Sequence, residues 1–105
     1  MLESVFQAKL IDELEELFEG CLVLQNDANK IQGFPDLLIL YKDQWAALEC
    51  KRSHNSRRQP NQEFYVKLLE NMSFSRFIYP ENKEEILDEL QQTFAHRRAT
   101  RVSKR

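Results

Sequence analysis

This 105-residue chain contains no uninterrupted apolar run near the roughly 20 residues that a bilayer-spanning helix requires. Its first residues, Met1-Leu2-Glu3-Ser4, lack the basic and apolar regions of a secretory signal, so a cytoplasmic location without a membrane partner is expected. Cysteine is scarce. Cys21 and Cys50 both lie in apolar stretches, which points to reduced core thiols and away from a disulfide framework or a metal pair. His54 and His96 have no metal-ligand spacing with those cysteines. No repeat, linker or second set of elements is visible. What is left is one soluble domain, 42% apolar and 30% charged, large enough to bury about 65% of its unfolded surface.

The net charge of −2 conceals a division along the chain. Residues 1–50 carry a balance of −7 and residues 51–105 a balance of +5. The positive half opens at Lys51, continues through Arg52, Arg57 and Arg58, and ends in a basic tail, 97–105, that holds Arg97, Arg98 and Arg101. Total charge argues against a polyanionic partner; its distribution argues for one.

Hydrophobic spacing sets the expected elements. Phe6, Leu10, Leu14, Leu17 and Phe18 recur at helical intervals over about 3–19, with Gly20 as the stop. Cys21–Leu24 reads as a short strand before a turn-rich segment and a bend at Gly33-Phe34-Pro35. Leu37–Tyr41 and Trp45–Leu48 form a hairpin. After a polar, basic loop, Pro60 opens a second helix whose stripe is Phe64, Leu68 and Met72, with Tyr65 and Leu69 beside it. Arg76–Tyr79 is a fourth strand, and about 82–96 a third helix. The tail is expected to be flexible. The resulting order is α-β-β-β-α-β-α, an α/β arrangement on a mixed sheet, with a domain of 1–96.

The chemistry gathers at the ends of the hairpin. Asp36 precedes its first strand; Glu49-Cys50-Lys51 closes its second. An antiparallel hairpin brings those two points together, so two carboxylates and an ammonium would meet at one sheet edge. That set suits a divalent cation and an attacking water. Parity decides whether it forms. Glu49 and Lys51 share a face, and Asp36 joins them only if it lies opposite one of the two. A four-residue loop at Tyr41–Gln44 pairs Asp36 with Glu49, and a two-residue loop at Asp43-Gln44 pairs it with Lys51. A three-residue loop would place it opposite Cys50 and split the group. The four-residue loop is expected, because Asp-Gln makes a poor primed turn.

Pro35-Asp36 followed by Glu49-Cys50-Lys51, within this order of elements, resembles the PD-(D/E)xK nuclease superfamily. The resemblance is to its small Holliday-junction resolvases and its stand-alone VRR-NUC enzymes, and it covers the chain to about residue 95. It implies a restriction-endonuclease-like αβββαβ core and a metal-dependent endonuclease acting on branched or nicked DNA. It also implies Mg²⁺, with Mn²⁺ as substitute, held by Asp36, Glu49 and the Cys50 backbone carbonyl, and assisted by Glu3 of the first helix. Lys51 would orient the attacking water or stabilise the transition state. Gln62 is similar to the glutamine that often follows the E-x-K element. Arg52, Arg57, Arg58, Arg97, Arg98 and Arg101 would meet phosphates, and a homodimer would place two sites on two strands, with Phe74 and Phe77 as spare apolar residues for the interface.

Ordinary alternatives stand beside each assignment. Asp36 also suits a turn after proline. Glu49 and Lys51 suit a solvated strand face. Glu3 suits a helix N-terminus, where an acid meets the dipole, and Gln62 an exposed helix position. Trp45 shares the charged-face parity and could pack in the core or cover the site. A flap or single-strand nuclease, or an inactive nucleic-acid-binding module, would keep the same core.

Overall fold

The computed structural model describes residues 1–27 and 29–103, with side chains through residue 96. Its elements are α1 (Glu3–Leu17), β1 (Leu22–Gln25), β2 (Leu37–Tyr41), β3 (Gln44–Cys50), α2 (Pro60–Met72), β4 (Phe74–Ile78) and α3 (Lys83–Ser103). The αβββαβ order with a C-terminal helix is therefore present. Among the described residues, no helix is long and apolar enough to cross a membrane.

The four strands form one sheet in the order β1-β2-β3-β4. β1, β2 and β3 are antiparallel neighbours, while β4 lies parallel to β3. A parallel neighbour demands a crossover, and α2 supplies it. Alternation then divides the sheet into two faces. Leu37 and Ile39 of β2, Ala46, Leu48 and Cys50 of β3, and Phe74 and Ile78 of β4 point to one side. There they bury Phe6, Leu10 and Leu14 of α1 and Ile86, Leu87, Leu90 and Phe94 of α3. Fully burying one such leucine contributes about 1.5–3 kcal/mol. α2 lies on the opposite face, against β3 and β4.

Several boundaries differ from the sequence reading, each for a local reason. The hairpin register pairs Tyr41 with Gln44 and Leu37 with Leu48, as expected, but the strands run further in. The turn is the two residues Lys42 and Asp43, with Lys42 at φ 58°, a conformation that costs a lysine about 1–2 kcal/mol. The stripe of α2 expected to pack, Phe64, Leu68 and Met72, faces solvent; Leu69, expected beside it, is buried together with Val66. The face beneath α2 carries the small residues Ala47 and Ser75, which admit only a narrow strip of the helix. β4 begins at Phe74, two residues early, so Phe74 is core, and Phe77 lies under the Arg58 guanidinium at 4.0 Å. Neither is free for an interface. α3 continues to Ser103, so most of the basic tail is helical in its backbone.

Candidate active site

Two anchors fix the approach to Asp36. Gly33 has φ +87°, and a Cβ there would lie 2.4 Å from the Asn61 Cβ, so only glycine lets this bend pass so close to α2. Asn26, at the end of β1, then holds the next turn: its side-chain amide donates to the Pro35 carbonyl at 2.6 Å and its backbone N–H to the Asp36 carbonyl at 2.8 Å. Asn26 opens the turn-rich segment after β1, and nothing in its local sequence marks these partners, which are nine and ten residues away.

The register carries Asp36 to the level of Glu49, one step beyond the Leu37–Leu48 pair. The two acids are tied crosswise. The Asp36 N–H donates to Glu49 Oε1 at 3.1 Å, and the Cys50 N–H donates to Asp36 Oδ2 at 3.0 Å. Lys51 leaves β3 with its N–H on the Ile78 carbonyl, and its ammonium donates to the Arg57 carbonyl at 2.9 Å and to Gln62 Oε1 at 2.7 Å. An ammonium has no acceptor, which fixes the carboxamide orientation: the oxygen faces Lys51 and Nε2 donates to Glu49 Oε2 at 2.9 Å. Gln62 owes this position to the start of α2, where Pro60 opens the first turn and Gln59 and Gln62 form a reciprocal capping box. Asp36, Glu49, Gln62 and Lys51 thus form one continuous hydrogen-bonded network.

The group is electrostatically unbalanced. Glu49 is held up to about 8, first by burial and then by the Asp36 charge, with Lys51 and the Asp36 N–H opposing the rise. Asp36 is raised mainly by burial, against the Cys50 N–H and Lys51. Glu3 is also raised, by burial and then by Asp36, with Lys51 and Arg52 opposing. It stands in the field of the pair without a hydrogen bond to either acid among the described residues. The Cys50 thiol, buried on the opposite face, is held up beyond the ordinary thiol range by burial and by the nearby carboxylates, so it stays protonated. Three carboxyls share less positive charge than they need, the condition that a bound cation relieves.

Do these residues fit Mg²⁺? Among the described residues, no group of three or more His, Cys, Asp or Glu side chains could hold an ion. Magnesium does not require one: it is commonly held by one or two carboxylates and keeps several waters. Asp36 and Glu49 are a pair of that kind. Each Glu49 oxygen already accepts one hydrogen bond, and each retains a second lone pair. The donor set fits.

Arg52 and Arg57 line an open cleft with Leu2, Glu3, Ser4, Lys51 and Ser56. Arg58 is turned away onto Phe77. The side chains of Arg97, Arg98 and Arg101 lie outside the described residues. His54 is exposed but paired, at 2.7 Å, with Glu81, tying the basic loop to the start of α3. Both cysteines are free. Trp45 is half-buried four residues along β3 from Glu49, about 13 Å away, and does not cover the site. No family model, curated protein or solved structure matches this chain.

Proposed function

We propose that this protein is a PD-(D/E)xK-type nuclease, a metal-dependent endonuclease that hydrolyses DNA phosphodiester bonds. The observation that carries the reading is the network at the open end of the hairpin, where Asp36 and Glu49 are bonded to each other and joined through Gln62 to the buried Lys51. A merely solvated strand face would not bury Glu49 and Lys51 to 3% and 7% exposure.

Asp36 and Glu49 would hold Mg²⁺ or Mn²⁺, with the Cys50 carbonyl as a further oxygen and Glu3 acting through its charge. When bound, the ion lowers the pKa of its water and neutralises charge on the scissile phosphate. Lys51 has three donors, two already bonded to Arg57 and Gln62, so its ammonium is oriented before substrate arrives. The third is available to the attacking water or to a phosphate oxygen. Arg52 and Arg57 supply phosphate contacts on the cleft beside it. The expected products are a 5′-phosphate and a 3′-hydroxyl.

We propose a second copy of the chain as partner. β1 is an edge strand; its Leu22 and Leu24 are exposed, as is Leu40 of the neighbouring β2, the partner of Leu22. A row of unpaired backbone groups next to exposed leucines suits isologous pairing across a two-fold axis.

The test incubates the protein with supercoiled plasmid, linear duplex and a four-way junction, in Mg²⁺, Mn²⁺ or EDTA, beside Asp36→Asn and Lys51→Ala. Metal-dependent cutting should be lost in both variants while both remain folded by circular dichroism. Undiminished cutting by Asp36→Asn would remove the site. DNA binding without cutting in either metal would make the chain a binding module.

A further inference from the structure

Two clefts lie on either side of the Lys51–Gln62 hydrogen bond, and their chemistry is opposite. One is lined by Arg52, Arg57 and Lys51 and suits charged backbone. The other, about 410 Å³, is lined by Gln32, Gly33, Gln59, Pro60, Asn61 and Gln62, with no charged side chain. Its volume is within the range of small-ligand sites. The two clefts adjoin, because Gln62 of the second bonds Lys51 of the first.

Four of the six lining residues are carboxamides, and each carboxamide offers a donor and an acceptor side by side. That is the pattern that pairs with the edge of a nucleobase. Gln59 and Gln62 are committed to the capping box and the acidic network, which makes that wall rigid. Among the described residues the side chains of Gln32 and Asn61 have no partner, so both remain available to a ligand. Phe64 is one turn on from Asn61, on the same side of α2. Phe64 is 60% exposed, its ring standing edge-on to Tyr65, which in turn meets Phe34 next to Gly33. A bare aromatic ring beside amides is a stacking surface for a base.

We propose that the carboxamide cleft takes the base of an unpaired nucleotide adjoining the scissile phosphate. This rests on the nuclease reading and narrows it. In a duplex the base edges are paired and stacked, and a base enters a side cleft only after leaving the stack. The preferred substrate is then DNA with single-stranded character at the cut, such as a flap, a gap or an opened junction, and continuous duplex is disfavoured.

Binding is measured in EDTA, so that no strand is cut, with a fluorescent 15-nucleotide single strand and the same sequence as a blunt duplex. The parent should prefer the single strand. Phe64→Ala and Asn61→Ala should each weaken single-strand binding about five-fold or more, while duplex binding changes less than about two-fold. Gln32→Ala, in the loop away from the helix, should act in the same direction. Equal losses on both DNAs, or no loss on either, overturns the proposal, as does a parent without preference for the single strand. The nuclease reading stands or falls separately, on metal-dependent cutting by the parent.

Discussion

Replacing Glu49 by glutamine should stabilise the metal-free protein while abolishing its proposed activity. In the unfolded chain this carboxyl titrates near 4.5; in the fold, burial and Asp36 hold it up to about 8. The folded state therefore binds this proton more tightly than the unfolded state. The associated stability is fully present below about pH 4.5, declines as pH rises, and is gone above about 8. Without screening, that interval corresponds to roughly 5 kcal/mol. Glu49 is buried, but relaxation of the site around the ionised carboxylate takes back part of that, and about 2–3 kcal/mol is expected. Glutamine cannot ionise, but its amide would face the Gln62 Nε2 donor and lose one hydrogen bond, worth about 1 kcal/mol. The net gain at pH 9 is about 1–2 kcal/mol, near 1 M in urea midpoint for a domain of this size. The assay is urea unfolding in EDTA at pH 5, 7 and 9. The parent should weaken from pH 5 to 9, and the advantage of Glu49→Gln should appear only at the upper end. Magnesium should restore the parent at high pH and leave the variant unchanged. A parent whose stability is flat from pH 5 to 9, or a variant less stable than it at pH 9, would refute the reasoning.

Three further outcomes are expected. Gln62→Leu removes the link between Lys51 and Glu49 and should lower the cutting rate about 10- to 100-fold with little change in DNA affinity, as single-turnover kinetics would reveal. Arg52→Ala with Arg57→Ala should weaken DNA binding and make the log–log salt slope, near −5 if about six basic groups touch phosphates, shallower by about two; removing residues 97–105 should act likewise, and an unchanged slope would exclude those groups from the contact. Leu24→Glu, on the exposed side of edge strand β1, should leave a folded monomer by light scattering at concentrations where the parent is dimeric; a parent that is monomeric throughout would dispose of the partner.

Local rules accounted for much of the chain. Phe6, Leu10 and Leu14 recur every four residues and do form the buried stripe of α1. The Asp36–Glu49 pairing followed from hairpin parity, although the turn proved to be Lys42-Asp43. Pro60 marked the start of α2. The same periodicity misled for Phe64, Leu68 and Met72. A helical stripe announces an apolar face but not whether anything lies against it, and here Ala47 and Ser75 gave the helix a narrow seat elsewhere.

The sequence by itself determined the order of elements, the two faces of the sheet and the meeting of Asp36 with Glu49, because each follows from a period or from the two ends of one hairpin. Only the tertiary structure decided that Gln62 bridges Lys51 to Glu49, that Asn26 pins the Asp36 turn, that Arg58 turns away onto Phe77, and that Gln32 and Asn61 share a cleft. Those contacts join segments with no periodic relation to one another. They exist because the β3–α2–β4 crossover lays the first turn of α2 beside the open end of the hairpin, a placement fixed by packing across the whole sheet.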